Sequence, residues 1–382
     1  TVIKSNGSKE PFNILKLSRW ADWAKVIGID HQSLVFETLS RINDEECTSE
    51  KLHNELIKTC LNKNTEKYVL MAGKLYLGTI YKKCYGGKDN IPLLKNLHND
   101  LVNKNLLIDL EYSDEELDII NNNIINHNHD QKYNYSQLKQ IYNKYSICDK
   151  LNNIYYESPQ FTFIRIAMTI NKNIKNQNLK LTEVAKLYQL LAVDMVINNP
   201  TPNYLLGTPK GCTSSCCLIL ADDNAESIRI RNFIADTMTC ASSGIGDMLK
   251  CRSIGDGVRN NRVVHQGKLP YYKALESSVK QNVQSSRGGG ATTYINVSDP
   301  EIVDLIKARS VTTAISKRIG GLDFALSHNT EFRKRVSLNK DWPLFSYHYY
   351  TDLFEAMYES DEKFEQLLYK HETEIWPKNN FY

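Results

Sequence analysis

The sequence predicts a mixed chain, α+β passing into α/β. It reads as a helical bundle under a small β cap, then a helical domain, then a region of alternating strands and helices. Three observations carry this reading. An Asn6-Gly7 pair divides two short extended runs within residues 2–13, the mark of a tight hairpin. Helical spacing dominates from there to about residue 197. A Pro-Thr-Pro break at 200–202 stops the helical run, and after Cys216 strand-like, glycine-punctuated runs alternate with helices, which points to a parallel sheet or barrel.

In chain order, Leu17, Trp20, Trp23 and Ala24 recur at three- to four-residue spacing and predict a first helix. Thr48-Ser49-Glu50 caps a second, which carries Leu52, Leu56, Ile57 and Cys60. A third spans about Tyr68 to Tyr85 and stops at Gly86-Gly87. Residues 1–87 thus make a first domain. Residues 88–198 make a second, helical one, Asn- and Lys-rich at first, with strong helices over Tyr155–Ile170 and Thr182–Ile197. The latter is apolar enough to be buried on more than one face. Residues 199–382 make the third. Cys216–Ala221 is too short for a helix and reads as a buried strand closed by Asp222-Asp223; helices follow near 225–240, 271–285, 299–309 and 351–370.

A net charge of +3, with both signs evenly mixed, argues against a nucleic-acid surface. No 18-residue apolar run exists to span a membrane. Nine scattered cysteines form no disulfide framework and predict a reducing, cytoplasmic setting, in which clustered cysteines are catalytic or metal-binding more often than structural.

The stretch from Asn199 to Asp223 is where chemistry is expected, because small polar residues and thiols stand at the mouth of a buried strand. The alternative is a cysteine that packs as a small hydrophobe. The Cys212, Cys216, Cys217 spacing does not match structural zinc knuckles, so no metal site is assigned. Arg287-Gly288-Gly289-Gly290 is either a hinge or a loop that lets backbone approach a ligand closely. Arg252 and Arg259, flanking Gly255-Asp256-Gly257, either fork onto a phosphate or hold Asp256.

In order and spacing, these residues resemble the large, catalytic subunit of class I ribonucleotide reductase, from the N-terminus to about residue 370. Val-Ile-Lys-x-Asn-Gly-Ser (2–8) and Tyr-Lys-Lys-Cys-Tyr-Gly (81–86) are similar to the two ends of the family's ATP-cone. Ile-Tyr-Tyr-Glu-Ser-Pro-Gln-Phe (154–161) resembles its helical segment before the barrel. Pro-Thr-Pro (200–202), Ser-Ser-Cys (214–216) and Arg-Gly-Gly-Gly-Ala-Thr (287–292) resemble the entry to the first barrel strand and the substrate-sensing loop.

The resemblance implies the first half of a ten-stranded α/β barrel, and with it thiyl-radical reduction of ribonucleotides to deoxyribonucleotides. Cys216 matches the first of two reducing cysteines, and Cys217, turned to the opposite face of the strand, reads as packing. Thr201, Ser215, Ser243 and Gly244 match the substrate cleft, with Arg287 relaying the effector's identity. Asp223, Arg252 and Arg259 match a specificity site for a dNTP at a dimer interface. Lys4, Glu10, Asn13, Lys16, His53 and Lys82 match nucleotide-contacting positions of the cone, where Ser5 stands in place of a usual basic residue. The implied effectors are ATP and dNTPs with Mg, with no covalently bound cofactor. The implied partners are a radical-generating, metal-containing small subunit, thioredoxin or glutaredoxin as reductant, and a second copy of the large subunit. The radical cysteine, the second reducing cysteine and the radical-receiving tyrosines are not among these residues. The chain is therefore expected to be a naturally divided or shortened subunit, inactive alone and joined to a C-terminal half through a large apolar surface. The alternative is a non-catalytic, nucleotide-sensing regulatory fragment.

Overall fold

The computed structural model describes residues 1–382 apart from 5, 6, 43, 45, 150, 194–205, 210–215, 242, 285, 286 and 376–382. The chain divides into two compact units, Thr1–Thr213 and Ser214–Tyr382.

The first unit opens with β1 (Val2–Ile3) and β2 (Lys9–Glu10), an antiparallel pair whose turn includes Gly7 at φ +80. A third strand, β3 (Cys47–Thr48), pairs parallel to β1. Helices α1 (Ile14–Trp23), α2 (His31–Leu39), α3 (Ser49–Asn62) and α4 (Glu66–Tyr85) pack beneath this cap. Side chains of Asn13, Asp30 and Thr48 cap the first three by accepting from backbone N–H groups. Gly86, at φ +78, ends the fourth. The sequence reading missed α2, a nine-residue helix only weakly amphipathic.

One length of α4 serves two cores. Met71, Ala72 and Leu75 pack with α1–α3, whereas Leu77, Ile80 and Tyr81 enter a larger cluster. That cluster is built by α5 (Leu94–Asn103), α6 (Asp114–Ile119), α7 (Tyr135–Lys144), α8 (Pro159–Asn171) and α9 (Gln177–Tyr188). The helix predicted from Tyr155 begins instead at Pro159, because Ile154–Tyr155 (β5) pairs with Cys148–Asp149 (β4). Glu157 locks this corner: its buried carboxylate accepts from Arg165 Nε at 2.7 Å and from the Ile147 N–H at 2.8 Å. The helix predicted over 182–197 starts at Gln177 and passes into a π turn, Gln189–Val193. It buries Val184, Tyr188, Leu191 and Ala192 but exposes Leu190, so it is one-sided over its described length.

A polar network crosses the larger core. Tyr81 donates its hydroxyl to Asp130 at 2.6 Å, and the Gln160 amide donates to the other carboxylate oxygen at 2.8 Å. Among the described residues no cation faces Asp130, so burial outweighs these bonds and pushes its carboxyl up to about 7. The folded protein therefore holds this proton more tightly than the unfolded chain. The stabilisation is complete below about pH 4 and is lost as pH rises toward 7, by up to about 4 kcal/mol. Asp130→Asn is expected to flatten that slope and raise the melting temperature at pH 8 relative to the parent. Parallel pH–stability curves for the two proteins would refute the assignment.

The second unit is built on four parallel strands in the order β13-β12-β7-β6. They are β6 (Cys216–Ala221), β7 (Gly244–Leu249), β12 (Ala291–Asn296) and β13 (Asp323–Ser327). Helices α10 (Ala225–Cys240), α11 (Leu269–Lys280) and α12 (Ile302–Lys307) run between them as crossovers. Five strands are expected of a half-barrel, and four stand in this sheet among the described residues. Two hairpins interrupt the pattern: β8 (Gly257–Val258) with β9 (Val263–Val264), and β10 (Val283–Gln284) with β11 (Arg287–Gly288). Helices α13 (Thr330–Ser337), α14 (Thr351–Ala356) and α15 (Asp361–Ile375) complete the unit, the last two over a satellite core around Phe345, Phe354 and Phe364. The single helix predicted over 351–370 is these two.

Alternation gives the sheet two unlike faces. Ile219, Ala221, Ile245, Leu249, Ala291 and Ile295 are buried under the crossover helices. Leu218 is 84% exposed and Leu220 55%, with Tyr294 also open, so among the described residues the opposite face is largely apolar and open, although the Tyr358 hydroxyl reaches Met248 toward its far end. The helix-covered face holds a buried charged pair. Arg231 grips Asp247 through Nε at 2.5 Å and Nη2 at 2.6 Å, both side chains fully buried. Thr293 donates its hydroxyl to the same carboxylate at 3.0 Å, and the Arg231 guanidinium lies 5.4 Å over the Tyr272 ring. No helix among the described residues is long and apolar enough to cross a membrane.

Candidate functional site

Two places gather the residues singled out in the sequence. The first is a cavity of about 470 Å³ in the N-terminal unit. Lys4, Glu10, Asn13, Lys16, His53 and Lys82 all line it, although they come from just after β1, from β2, from the cap and first turn of α1, from α3 and from the end of α4. Glu10 sits between two cations, 2.7 Å from Lys4 Nζ and 2.8 Å from Lys16 Nζ. Hydrogen bonds from Lys16 and Lys4 hold its carboxyl below the ordinary carboxylate range. Asn13 is committed to the backbone, accepting from Leu15 N at 2.9 Å. His53 is held by a 2.8 Å bond between Nε2 and the Leu75 carbonyl. A carbonyl only accepts, so Nε2 carries the proton and Nδ1 is left as an acceptor. Burial lowers the imidazole's pKa despite that bond, and the nearby Lys82 charge adds to the effect, so the ring is neutral at pH 7. Ser5 lies outside the described residues.

The second place is the sheet of the C-terminal unit, which carries Cys216, Ser243 and Gly244 at one end and Asp223 and Arg252 at the other. Cys216 begins β6 and is exposed, directly opposite Gly244 at the start of β7. It shares the uncovered face with Leu218 and Leu220, whereas Cys217 packs against the helix-side core, as alternation requires. Ser243 is buried just before Gly244. At the same end, Gly289 runs so close to α11 that an added Cβ would lie 2.2 Å from the Val279 carbonyl oxygen, so this glycine is needed for packing. Arg287 contributes backbone to β11; its side chain, and all of Thr201, Cys212 and Ser215, lie outside the described residues.

At the far end of the same strands stand Asp223, just after β6, and Arg252, just after β7. Six residues at about 3.3 Å each put this end roughly 17–20 Å from Cys216. Arg252 does not hold Asp256, as one reading of the sequence had it. Its Nε lies 3.1 and 3.0 Å from the two Asp223 oxygens and its Nη2 2.9 Å from Oδ2, while Nη1 donates to the Gly257 carbonyl. Asp256 instead accepts from the Ser253 N–H at 2.6 Å and from the Ser346 hydroxyl. Burial pushes the Asp223 carboxyl up, but the Arg252 bonds outweigh it and leave it below the usual value. His348, which the sequence reading passed over, brings Nδ1 to 3.5 Å from Asp223. Arg259 is exposed at the tip of the β8–β9 hairpin, where Arg259, Asn260 and Asn261 all have positive φ, from 52 to 62. It is not drawn into the Asp223–Arg252 pair.

Cys251 and His265 approach to 3.8 Å (Sγ to Nε2), but burial raises the thiol to about 12, so it is neither nucleophile nor ready ligand. Among the described residues no cluster of three His, Cys, Asp or Glu side chains has metal-binding geometry.

Residues 214–379, nearly all of the second unit, match the barrel domain of ribonucleotide reductase. The chain is similar to the alpha subunits of ribonucleoside-diphosphate reductases. It is 29% identical to the ribonucleoside-diphosphate reductase subunit alpha of Buchnera aphidicola (subsp. Baizongia pistaciae), over 98% of this chain and 50% of that protein. Against subunit alpha of the Escherichia coli ribonucleoside-diphosphate reductase 1 the identity is 28%, over 98% of this chain and 50% of the relative. The Enterobacteria phage T4 subunit alpha is 28% identical over 95% of this chain and 50% of its own length. The chain thus spans about half the length of the curated relatives it matches, and it covers the similarity nearly end to end.

Proposed function

We propose that this chain supplies the N-terminal half of the large subunit of a ribonucleoside-diphosphate reductase. One observation carries the proposal: a four-stranded parallel sheet, helix-covered on one side and largely apolar and open on the other among the described residues, presents Cys216 on the open side beside Gly244. Such a sheet is the geometry of one half of an α/β barrel whose interior is closed by further strands. Inside the closed barrel, loss of the ribose 2′ hydroxyl as water takes two electrons and two protons. Two thiols provide both and end as a disulfide. Cys216 is one sulfur; the other, and the thiyl radical that opens the reaction, belong to sequence beyond these 382 residues, whichever polypeptide carries it. A metal-containing small subunit supplies the radical, and thioredoxin or glutaredoxin re-reduces the disulfide. Thr201, Ser215, Ser243 and Gly244 line the substrate cleft in this reading, with Arg287 relaying the effector signal.

Two nucleotide sites accompany the catalytic role. Phosphates of ATP or a dNTP, with Mg, enter the N-terminal cavity at Lys4, Lys16 and Lys82, the first two now facing Glu10. A dNTP at an interface between two large subunits is read by Asp223, Arg252 and Arg259, with the Asp223–Arg252 pair opening to admit it. The well-formed cavity also favours a second reading, a nucleotide-sensing fragment without catalysis.

Reconstitution separates the two. The 382-residue chain is mixed with a polypeptide covering the other half of its relatives, a radical-generating small subunit and dithiothreitol. A ribonucleoside diphosphate is then expected to be converted to the deoxy product, with none formed when this chain is omitted. Nucleotide binding without product, in a complex shown to have assembled, would decide for the sensor.

A further inference from the structure

The N-terminal cavity has one wall that the lysines do not explain. Trp20, on the inner side of α1, lines it, and its six-membered ring lies on the backbone of α4 at Gly78. A Cβ built at Gly78 would stand 2.4 Å from Cζ3, 3.1 Å from Cη2 and 3.2 Å from Cε3. A glycine inside a twenty-residue helix costs about 1 kcal/mol relative to alanine, and here it makes room for an indole. Two further rings fix that indole edge-on: His53, centroids 5.3 Å apart at 75°, and Trp23, 5.7 Å apart at 89°. The side chain is partly buried and lines the cavity.

The rest of the lining is amphipathic. Four lysines stand against two glutamates, and Phe12, Leu17 and Leu52 supply apolar surface. A matching ligand carries a planar, weakly polar body and a polyanionic tail. We infer that Trp20 is the base-contacting residue of this cavity, holding the base of a nucleoside polyphosphate while the lysines take its phosphates. This inference rests on the nucleotide reading given above. It adds the residue that separates a nucleotide from a bare polyphosphate, and it assigns Gly78 the task of seating the indole. Rings stack on aromatic side chains with little dependence on base identity, so Trp20 provides affinity, and discrimination between bases falls to polar neighbours such as His53 Nδ1.

Calorimetry on the 382-residue chain tests this with two probes, ATP and inorganic tripolyphosphate. Trp20→Leu is expected to weaken ATP about tenfold or more, as loss of a base–aromatic stack does, with tripolyphosphate affinity within twofold of the parent. Trp20→Phe, which keeps a ring, should recover most of the ATP affinity. Gly78→Ala, which leaves the indole intact and displaces it, should mimic Trp20→Leu and serves as the second probe if the leucine variant does not fold. Parent protein that binds ATP, with variants that bind it equally well, would overturn the inference and leave the nucleotide site standing. Parent protein that binds no ATP would overturn both.

Discussion

Cys216→Ser, assayed in the assembled reductase, is expected to stop repeated turnover and lower the steady-state rate by about 10³-fold or more, the scale of removing one member of a catalytic unit. A serine hydroxyl fills the same space but cannot give up an electron to form the disulfide. Because Cys216 is exposed at the first position of β6, the substitution is expected to leave melting temperature and nucleotide binding unchanged. Cys217→Ser should do the reverse, because that side chain packs against the helix-side core: a loss of about 1 kcal/mol in stability with chemistry preserved. Product formation at the parent rate by the Cys216→Ser enzyme with excess dithiothreitol would remove Cys216 from the mechanism. An equal loss of turnover in folded Cys217→Ser enzyme would transfer the role to its neighbour.

Asp247→Ala is expected to be the most damaging single change to the second unit's stability, on the order of 3–5 kcal/mol. It would strand the Arg231 guanidinium, fully buried over Tyr272, and deprive Thr293 of its acceptor. Most of that cost comes from an unpaired buried charge, so an apolar pair of similar volume, Arg231→Met with Asp247→Leu, should recover much of it. Urea unfolding of the three proteins gives the answer. If Asp247→Ala unfolds within about 1 kcal/mol of the parent, the ion pair does not hold the sheet to its helices.

What could be read from sequence follows from the range of the interactions involved. The turn at Gly7, the Thr48 cap and the Gly86 stop are each decided by a few adjacent residues, and each is legible. So is the change from helical to alternating pattern at Cys216, close to the division between the two units. The two-residue pairing of Ile154–Tyr155 with Cys148–Asp149 is not, because nothing local distinguishes it from the helix start that follows. Neither is the partner of Arg252. Asp256 is near in sequence, but the acceptor is Asp223, 29 residues away, delivered by parallel pairing of β6 with β7. Trp20 was visible only as one apolar position in a helical stripe; Gly78, an unexplained glycine in an otherwise strong helix, is the signal that marks its packing partner.

The alternating faces of β6 also set a rule of parity. Cys216 is on the bare side because it stands an even number of residues from Leu218 and Leu220, while Ile219 and Ala221 anchor the odd positions beneath the helices. Loss or gain of a single residue between Cys216 and Leu218 would rotate the sulfur to the helix side and bring another side chain to the bare one. A two-residue change would keep its facing and shift it along the strand by about 7 Å, out of line with Gly244. Substitutions within β6 are therefore matters of volume, whereas insertions and deletions are matters of direction, and lineages of this protein should vary the former while keeping the strand's length fixed.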